Sequence, residues 1–194
     1  MNDKILGKYI AKNHNGSVFT DNELKVIKQG NIDDMVTTFF DMNNDYYITQ
    51  LQCAIKSLAT FMNTQIVMES IEYIKEYRGQ FMGCQIMDGD IDVFLGIAGE
   101  DDELVELASV FAGEDFTELD MDAYDALCEL INVMNGAYAT KLSGSEIEVT
   151  LHPPVFYKDT SVASDTGLYV AAFEMNGKTF KLLMAANDKI KLKA

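Results

Sequence analysis

The sequence predicts an α+β domain with a mostly antiparallel sheet and helices packed on its face. Three observations lead to this prediction. Apolar residues recur at helical spacing in two long segments, short apolar runs between them resemble strands, and an Asp-Gly or Asn-Gly pair separates neighbouring runs. Because the order helix, strand, hairpin occurs twice, joined by a further helix, we expect a pseudo-repeat of about 80–90 residues.

The first half of this repeat is predicted to begin with a helix near Tyr46. Its apolar residues recur every three or four positions, which is typical of a helix that buries one side. They are Ile48, Leu51, Ile55, Leu58 and Met62. We expect strands at 66–68, 81–87 and 91–97, the first of them able to extend further along the chain. The Asp-Gly pair at 88–89 predicts a tight hairpin, because such turns need positive φ.

The second half is predicted after a linking helix. The acidic run 100–103 favours a helix start, since acids stabilise the positive end of a helix dipole, and Gly113 ends that helix. Asn176-Gly177 predicts a second tight hairpin between the last two strands. We expect a helix and three strands here, at 121–142, 147–151, 168–175 and 179–185.

The first 44 residues differ from the rest in composition. They are polar, rich in Asn and Asp, and interrupted by glycines, although short helices are plausible at 22–29 and 32–40. This segment has no pattern for a core of its own. We therefore predict an N-terminal, partly helical appendage at 1–44, packed on a main domain at 45–194.

Charge and cysteine content exclude several functions. The chain has 31 acidic and 15 basic residues and a net charge of −16, which disfavours nucleic acids and anionic membrane surfaces. The sequence contains no run of about 18 apolar residues, the length that a helix needs to span a bilayer. The three cysteines are odd in number and far apart, so neither a zinc site nor a disulfide framework is indicated. We expect reduced thiols and a cytoplasmic protein.

One side of the helix at 121–142 is unusual for a surface selected for stability. Five residues share a sector about 80° wide, which contains no Lys or Arg. They are Asp122, Asp125, Glu129, Asn132 and Gly136, called the acidic stripe below. The acids repel one another, and a glycine inside a helix costs about 1 kcal/mol relative to alanine. Composition alone leaves two interpretations: a solvated side of an acidic protein, or a ridge on which a partner docks.

A family motif favours the second interpretation. Asp125, Glu129 and Asn132 have the spacing acid, three residues, Glu, two residues, Asn, and Pro153 or Pro154 follows about twenty residues later. This pattern, with its order of strands, helix and hairpin from residue 46 onward, resembles the CheC/CheX/FliY family of chemotaxis phosphatases. A single motif points to the CheX-like branch.

The resemblance implies that the chain hydrolyses the aspartyl phosphate of a CheY-type receiver domain. An acyl phosphate is already activated, so placing a water in line supplies most of the catalysis. By this resemblance Asn132 orients the water, and Glu129 orders the same water or reaches a receiver lysine. Partner binding is assigned to Asp122, Asp125, Asn135 and Gly136.

The resemblance also sets expectations for cofactors and partners. The chain would need no cofactor of its own, since Mg²⁺ would belong to the receiver. The expected partners are the phosphorylated receiver and a second copy of the chain in a homodimer. A non-catalytic receiver-binding or flagellar-switch adaptor remains the alternative function.

Two weaker patterns lie near residue 41. Thr37, Asp41 and Asn44 repeat the motif's spacing with Asp in place of Glu, which we interpret as coincidence or a degenerate remnant. The segment from Asp41 also resembles the start of an EF-hand loop. However, its sixth position is Tyr46 and its twelfth is Gln52, which argues against tight calcium binding.

Overall fold

The computed structural model of the chain describes residues 3–14, 16 and 18–193. The helices in this part of the chain are α1 (Asp3–Asn13), α2 (Asp21–Gln29), α3 (Ile32–Phe39), α4 (Asp45–Phe61), α5 (Asp101–Ala112) and α6 (Met121–Ser143). The strands are β1 (Ile66–Gly89), β2 (Val93–Gly99), β3 (Val149–Leu151), β4 (Val155–Met175), β5 (Lys178–Ala186) and β6 (Ile190–Lys193). The fold is α+β, and every strand pairing is antiparallel, as predicted.

Local signals explain the helix boundaries. The carboxylate of Asp120 caps α6 by accepting hydrogen bonds from the backbone N–H groups of Asp122 and Ala123, each at 3.1 Å. Gly113 ends α5 in the left-handed conformation, with φ of 70°. The sequence pattern predicted both helices to within a few residues, whereas α1 was not predicted.

Two long strands, β1 and β4, pair with each other along most of their length. The sequence predicted separate strands at 66–68 and 81–87. This prediction is wrong, because one strand of 24 residues runs through both ranges. Its middle, around Glu72 and Arg78, is charged and exposed and so lacks the pattern of a buried strand. Similarly, β4 begins at Val155 rather than 168. The sheet order is β3-β1-β2-β5-β4-β6, and the edge strand β6 was not predicted.

The two predicted hairpins have different outcomes. Asn176 and Gly177 have φ of 51° and 78°, and the neighbouring residues Met175 and Lys178 pair directly, so this two-residue turn is confirmed. The tight turn predicted at 88–89 is wrong, because the last β1–β2 pair is Met87 with Val93 and a five-residue connection, 88–92, separates them. Gly89 instead continues β1 and pairs with Val149 of β3.

The central strands β2 and β5 are buried on both sides of the sheet. Alternate residues of β2 and β5 belong to two separate clusters of buried side chains, as the period of a strand requires. Leu95 and Leu182 pack with the helices. Phe94 and Leu183 point to the other side of the sheet and pack with residues of β1 and β4. Among the described residues, no helix combines the length and apolar character that crossing a bilayer requires.

The N-terminal helices contribute to the main core. Leu6 of α1 and Val36 of α3 are fully buried in the same cluster as residues of α4 and α6. An ion pair of 2.5 Å between Lys56 and Asp33 attaches α3 to α4. The side-chain amide of Gln52 also donates to the backbone oxygen of Asp33. Treating 1–44 as a separate appendage stays a prediction, but these helices pack closely on the rest of the molecule.

The two weaker patterns near residue 41 do not form sites. Thr37 belongs to α3, whereas Asn44 caps α4 by accepting a hydrogen bond from the backbone N–H of Tyr47 at 3.2 Å. The spaced residues therefore do not share one side of one helix. Because α4 begins at Asp45, the chain cannot form the twelve-residue calcium loop that would start at Asp41.

Candidate functional site

An open cleft of about 600 Å³ lies beside α6. The helix supplies Asp125, Cys128, Glu129 and Asn132 to its lining. Residues separated by three or four positions lie on one side of a helix, so the spacing of the motif becomes a row along the cleft. Three of the predicted site residues are thus brought together here.

The loop between β3 and β4 forms another part of the cleft lining. His152, Pro153 and Pro154 line the cleft here, so the prolines of the sequence motif line the same cleft as Asn132. The His152 ring is partly exposed, and its Nε2 lies 3.0 Å from an oxygen of Asp88. The backbone N–H of His152 donates to the carbonyl of Ile86 at 3.0 Å, which attaches the loop to β1.

Glu129 and Asn132 form the polar pair of the cleft. Asn132 is half-buried and Glu129 is exposed, and Asn132 Nδ2 lies 3.5 Å from Glu129 Oε2. An amide offers both a donor and acceptors without ionising, whereas a carboxylate only accepts. Together they can bind a water or a polar group of a docked molecule.

Gln85 was not singled out from the sequence, yet it lines the same cleft. Its Nε2 donates to Asn132 Oδ1 at 3.1 Å and to the backbone oxygen of His152 at 2.7 Å. Its Oε1 accepts from Asn135 Nδ2 at 2.9 Å. A signal was available in the sequence, because a glutamine within an otherwise apolar strand segment needs hydrogen-bonding partners when that strand is buried.

The structure corrects the assignment of Asn135 to partner binding. Its side chain is fully buried, with a relative exposure of 0%, and it donates a hydrogen bond to Gln85 instead of facing solvent. Its Oδ1 has no hydrogen-bond partner among the described residues.

The remaining residues of the acidic stripe lie outside the cleft lining. Asp122 is exposed near the start of α6, and Gly136 is half-buried in a later turn. A Cβ at Gly136 would meet no atom within 4 Å, so the surface there is open to an approaching molecule. Ala137, an apolar residue of the same helix, is exposed.

The cysteines of the molecule are unsuited to nucleophilic chemistry. All three are free, and Cys53 and Cys84 are buried. Burial, with added repulsion from Asp125, raises the pKa of the Cys128 thiol. Burial also raises the pKa of Cys84 to about 12. Because the thiolate is the nucleophilic form, Cys128 lines the cleft as a neutral, weakly polar group at neutral pH.

Solved structures of CheC-like and CheX proteins have the same fold. A CheC-like superfamily protein from Shewanella sp. PV-4 has a TM-score of 0.64 at 22% identity, over 75% of this chain and 99% of that one. A chemotaxis protein CheX from Desulfovibrio desulfuricans has a TM-score of 0.62 at 13% identity, over 74% and 99%. A CheX–CheY–BeF₃–Mg²⁺ complex from Borrelia burgdorferi includes a chain with a TM-score of 0.53 at 16% identity, over 74% and 98%.

Sequence comparison gives the same family for the region that holds the cleft. No curated protein matches the chain. Residues 81–175 match the family model described as "Chemotaxis phosphatase CheX", and this range includes β1 from Phe81 through to the end of β4. It contains every residue of the motif. The resemblance to the CheC/CheX/FliY family is therefore confirmed, and residues 81–175 are a CheX-family region.

Proposed function

We propose that this chain hydrolyses the aspartyl phosphate of a CheY-type receiver domain by positioning the attacking water. The observation that carries the proposal is the pairing of Glu129 and Asn132 at an open cleft that Pro153 also lines. The CheX match of residues 81–175 supports it. The B. burgdorferi complex, in which a CheX is bound to CheY, supports the choice of partner.

Hydrolysis of an acyl phosphate requires little from the catalyst beyond positioning the attacking water. An acyl phosphate has a good leaving group, so the barrier lies mainly in placing a water in line with the bond that breaks. Water attacks phosphorus, the P–O bond to the aspartyl group breaks, and inorganic phosphate and a free carboxylate result. Asn132 would orient the water through its amide, and the Glu129 carboxylate would accept one of the water's hydrogen bonds.

The other residues of the acidic stripe would make the docking surface. Asp122 and Asp125 offer carboxylates for basic or N–H groups of the receiver, and Gly136 leaves room for its backbone. Magnesium is assigned to the receiver, since the B. burgdorferi complex contains Mg²⁺ together with CheY. The proposal assigns no step to a metal bound by this chain.

Decay of a phosphorylated receiver tests this proposal. CheY-type receivers from the same host are charged with acetyl phosphate, and loss of phosphoprotein is followed with and without the chain. We expect accelerated decay, and we expect Asn132→Ala to reduce the acceleration by about 100-fold, because a misplaced reactant costs that much. Asn22→Ala, at an exposed asparagine of α2, is the matched control and should be as fast as wild type.

The outcomes separate the two candidate functions. If wild type binds a charged receiver without accelerating its decay, the chain is an adaptor and the catalytic proposal is wrong. If Asn132→Ala matches wild type, the assignment of Asn132 is wrong although catalysis stands. Glu129→Gln, which keeps size and removes charge, tests the second residue in the same assay.

We extend the proposal to location and assembly. The three free cysteines suit the reducing cytoplasm, where a receiver substrate would also be found. A homodimer remains a prediction, and its test is the molar mass in solution from light scattering. The edge strand β6 carries Lys191 and Lys193, which disfavour simple edge-to-edge pairing there.

A further inference from the structure

We infer that Gln85 is a positioning residue for Asn132, and that the Pro153–Pro154 loop acts on Asn132 through Gln85. The catalytic part of this inference, that Gln85 supports the rate through Asn132, rests on the proposed function. Its structural part, that Gln85 orients Asn132, can be tested without a receiver. Gln85 lies on β1 and is only 2% exposed. A glutamine this deeply buried costs free energy unless both ends of its amide are hydrogen-bonded, so its neighbours dictate its orientation.

A backbone group fixes the direction of the Gln85 amide. The carbonyl oxygen of His152 lies 2.7 Å from the Gln85 amide, and a carbonyl can only accept. The Gln85 atom that faces it must therefore be Nε2. At the other end, Asn135 Nδ2 donates to Gln85 Oε1 at 2.9 Å. Turning the amide over would place two oxygens together at His152 and two nitrogens together at Asn135.

The direction of Gln85 in turn sets that of Asn132. The second N–H of Gln85 Nε2 donates to Asn132 Oδ1 at 3.1 Å, so Asn132 directs its oxygen toward the protein. Its Nδ2 then points away from Gln85, 3.5 Å from Glu129 Oε2. In this arrangement Asn132 donates to the oxygen of a bound water, Glu129 accepts from it, and a lone pair of the water stays free for attack.

The acceptor that orients Gln85 is itself held in place. The N–H of His152 donates to the carbonyl of Ile86, next to Gln85 on β1. Pro153 follows His152, and Pro154 follows in turn; the proline ring restricts its own φ and biases the preceding residue toward an extended backbone. The loop thus presents the His152 carbonyl in one place. The prolines therefore influence the chemistry through two hydrogen bonds that Gln85 Nε2 donates, one to the His152 carbonyl and one to Asn132 Oδ1.

Gln85→Met tests the positioning role, because methionine is close in length to glutamine but has no N–H to donate. Gln50→Met is the matched control: Gln50 is also 2% exposed, and its Nε2 donates to the backbone oxygen of Phe94 at 2.9 Å, outside the cleft. We expect both variants to lower the thermal midpoint, Gln85→Met by more, because Gln85 makes three side-chain hydrogen bonds and Gln50 makes one. Only Gln85→Met should lower kcat for receiver dephosphorylation, by about 10- to 100-fold, with KM unchanged within about twofold.

Two results would overturn the catalytic part. One is equal kcat for Gln85→Met and Gln50→Met. The other is an additive loss when Gln85→Met is combined with Asn132→Ala, because a residue that acts only through Asn132 has nothing left to position once that amide is removed.

Side-chain amide spectra test the structural part without a receiver. In protein labelled with nitrogen-15, Asn132→Ala and Pro153→Ala should each shift the NH₂ signals of Gln85, whereas Asn22→Ala should leave them unchanged. Unshifted Gln85 signals in Asn132→Ala would overturn the inference whatever the activity. A wild-type protein without phosphatase activity would overturn the proposed function and the catalytic part, while the spectra would still decide whether Gln85 orients Asn132.

Discussion

Asn132 Nδ2 and Glu129 Oε2 lie 3.5 Å apart, one turn from each other on the same side of α6. Both side chains belong to one 23-residue helix that is capped at its start and packed on the sheet along its length. Their relative position therefore depends on a rigid element rather than on a loop. A partner that docks on this helix meets the two groups as one unit.

Gly136→Ala should separate folding stability from docking. No atom lies within 4 Å of a Cβ at this position, so the alanine fits and should stabilise the helix by about 0.5–1 kcal/mol. The added methyl should weaken receiver binding if a partner backbone approaches there. Gly7→Ala in α1, where a Cβ also meets nothing, is the control and should gain stability without altering binding. Thermal unfolding and titration calorimetry measure both effects, and equal binding by the two variants would contradict this role for Gly136.

Cys128 should report on occupancy of the cleft. Burial and the nearby Asp125 raise the pKa of its thiol above the ordinary value of 9.0, and only the thiolate reacts. Alkylation should therefore be slow at neutral pH and should still be rising above pH 9. Asp125→Asn should speed it by removing the repulsion. A receiver charged with beryllium fluoride should protect Cys128, as measured by mass spectrometry, and unchanged labelling in its presence would exclude docking over the cleft.

Gly89→Ala should disturb the cleft from a distance. Gly89 has φ of 153°, and a Cβ there would lie 2.3 Å from the backbone oxygen of Glu148, just before β3. The backbone must move, and β3 leads directly to the loop that holds His152. We expect losses of both stability and phosphatase rate. Gly177→Ala is strained by its φ of 78° but meets no atom, so it should cost stability without the loss in rate.

Leu6→Ala should show whether the N-terminal segment is integral to the fold. Leu6 is fully buried in the main core, so removing its side chain should cost about 2–5 kcal/mol. Val18→Ala, at a residue that is 92% exposed, should leave stability unchanged. Denaturant unfolding compares the two variants. A loss below about 1 kcal/mol for Leu6→Ala would support a loosely attached appendage instead.

The sequence predicted best those elements whose signals are local. Helix α6 shows a continuous apolar periodicity between an Asp cap and Gly144, and its predicted and observed bounds differ by one residue. Asn176-Gly177 carries the turn chemistry that its geometry requires. The row of Asp125, Glu129 and Asn132 on one side of a helix followed from spacing alone.

The remaining features depend on contacts distant in sequence. The middle of β1 is stabilised by pairing with β4, about ninety residues away, so its exposed charged residues gave no strand signal. The role of Gln85 depends on α6 and on the loop before β4, and nothing near residue 85 indicates either partner. Asn135 was assigned to the exposed surface although it is buried, because the buried side of α6 includes this polar residue as well as apolar ones.

The attachment of α3 to α4 has a consequence for stoichiometry. Both halves of the fold present a helix before a long strand, but Gln52 and Lys56 on α4 already hold Asp33 of α3. A second receiver could reach that side of α4 only after α3 had been displaced together with its buried residues. On the proposed function, one copy of the chain should therefore saturate with one receiver.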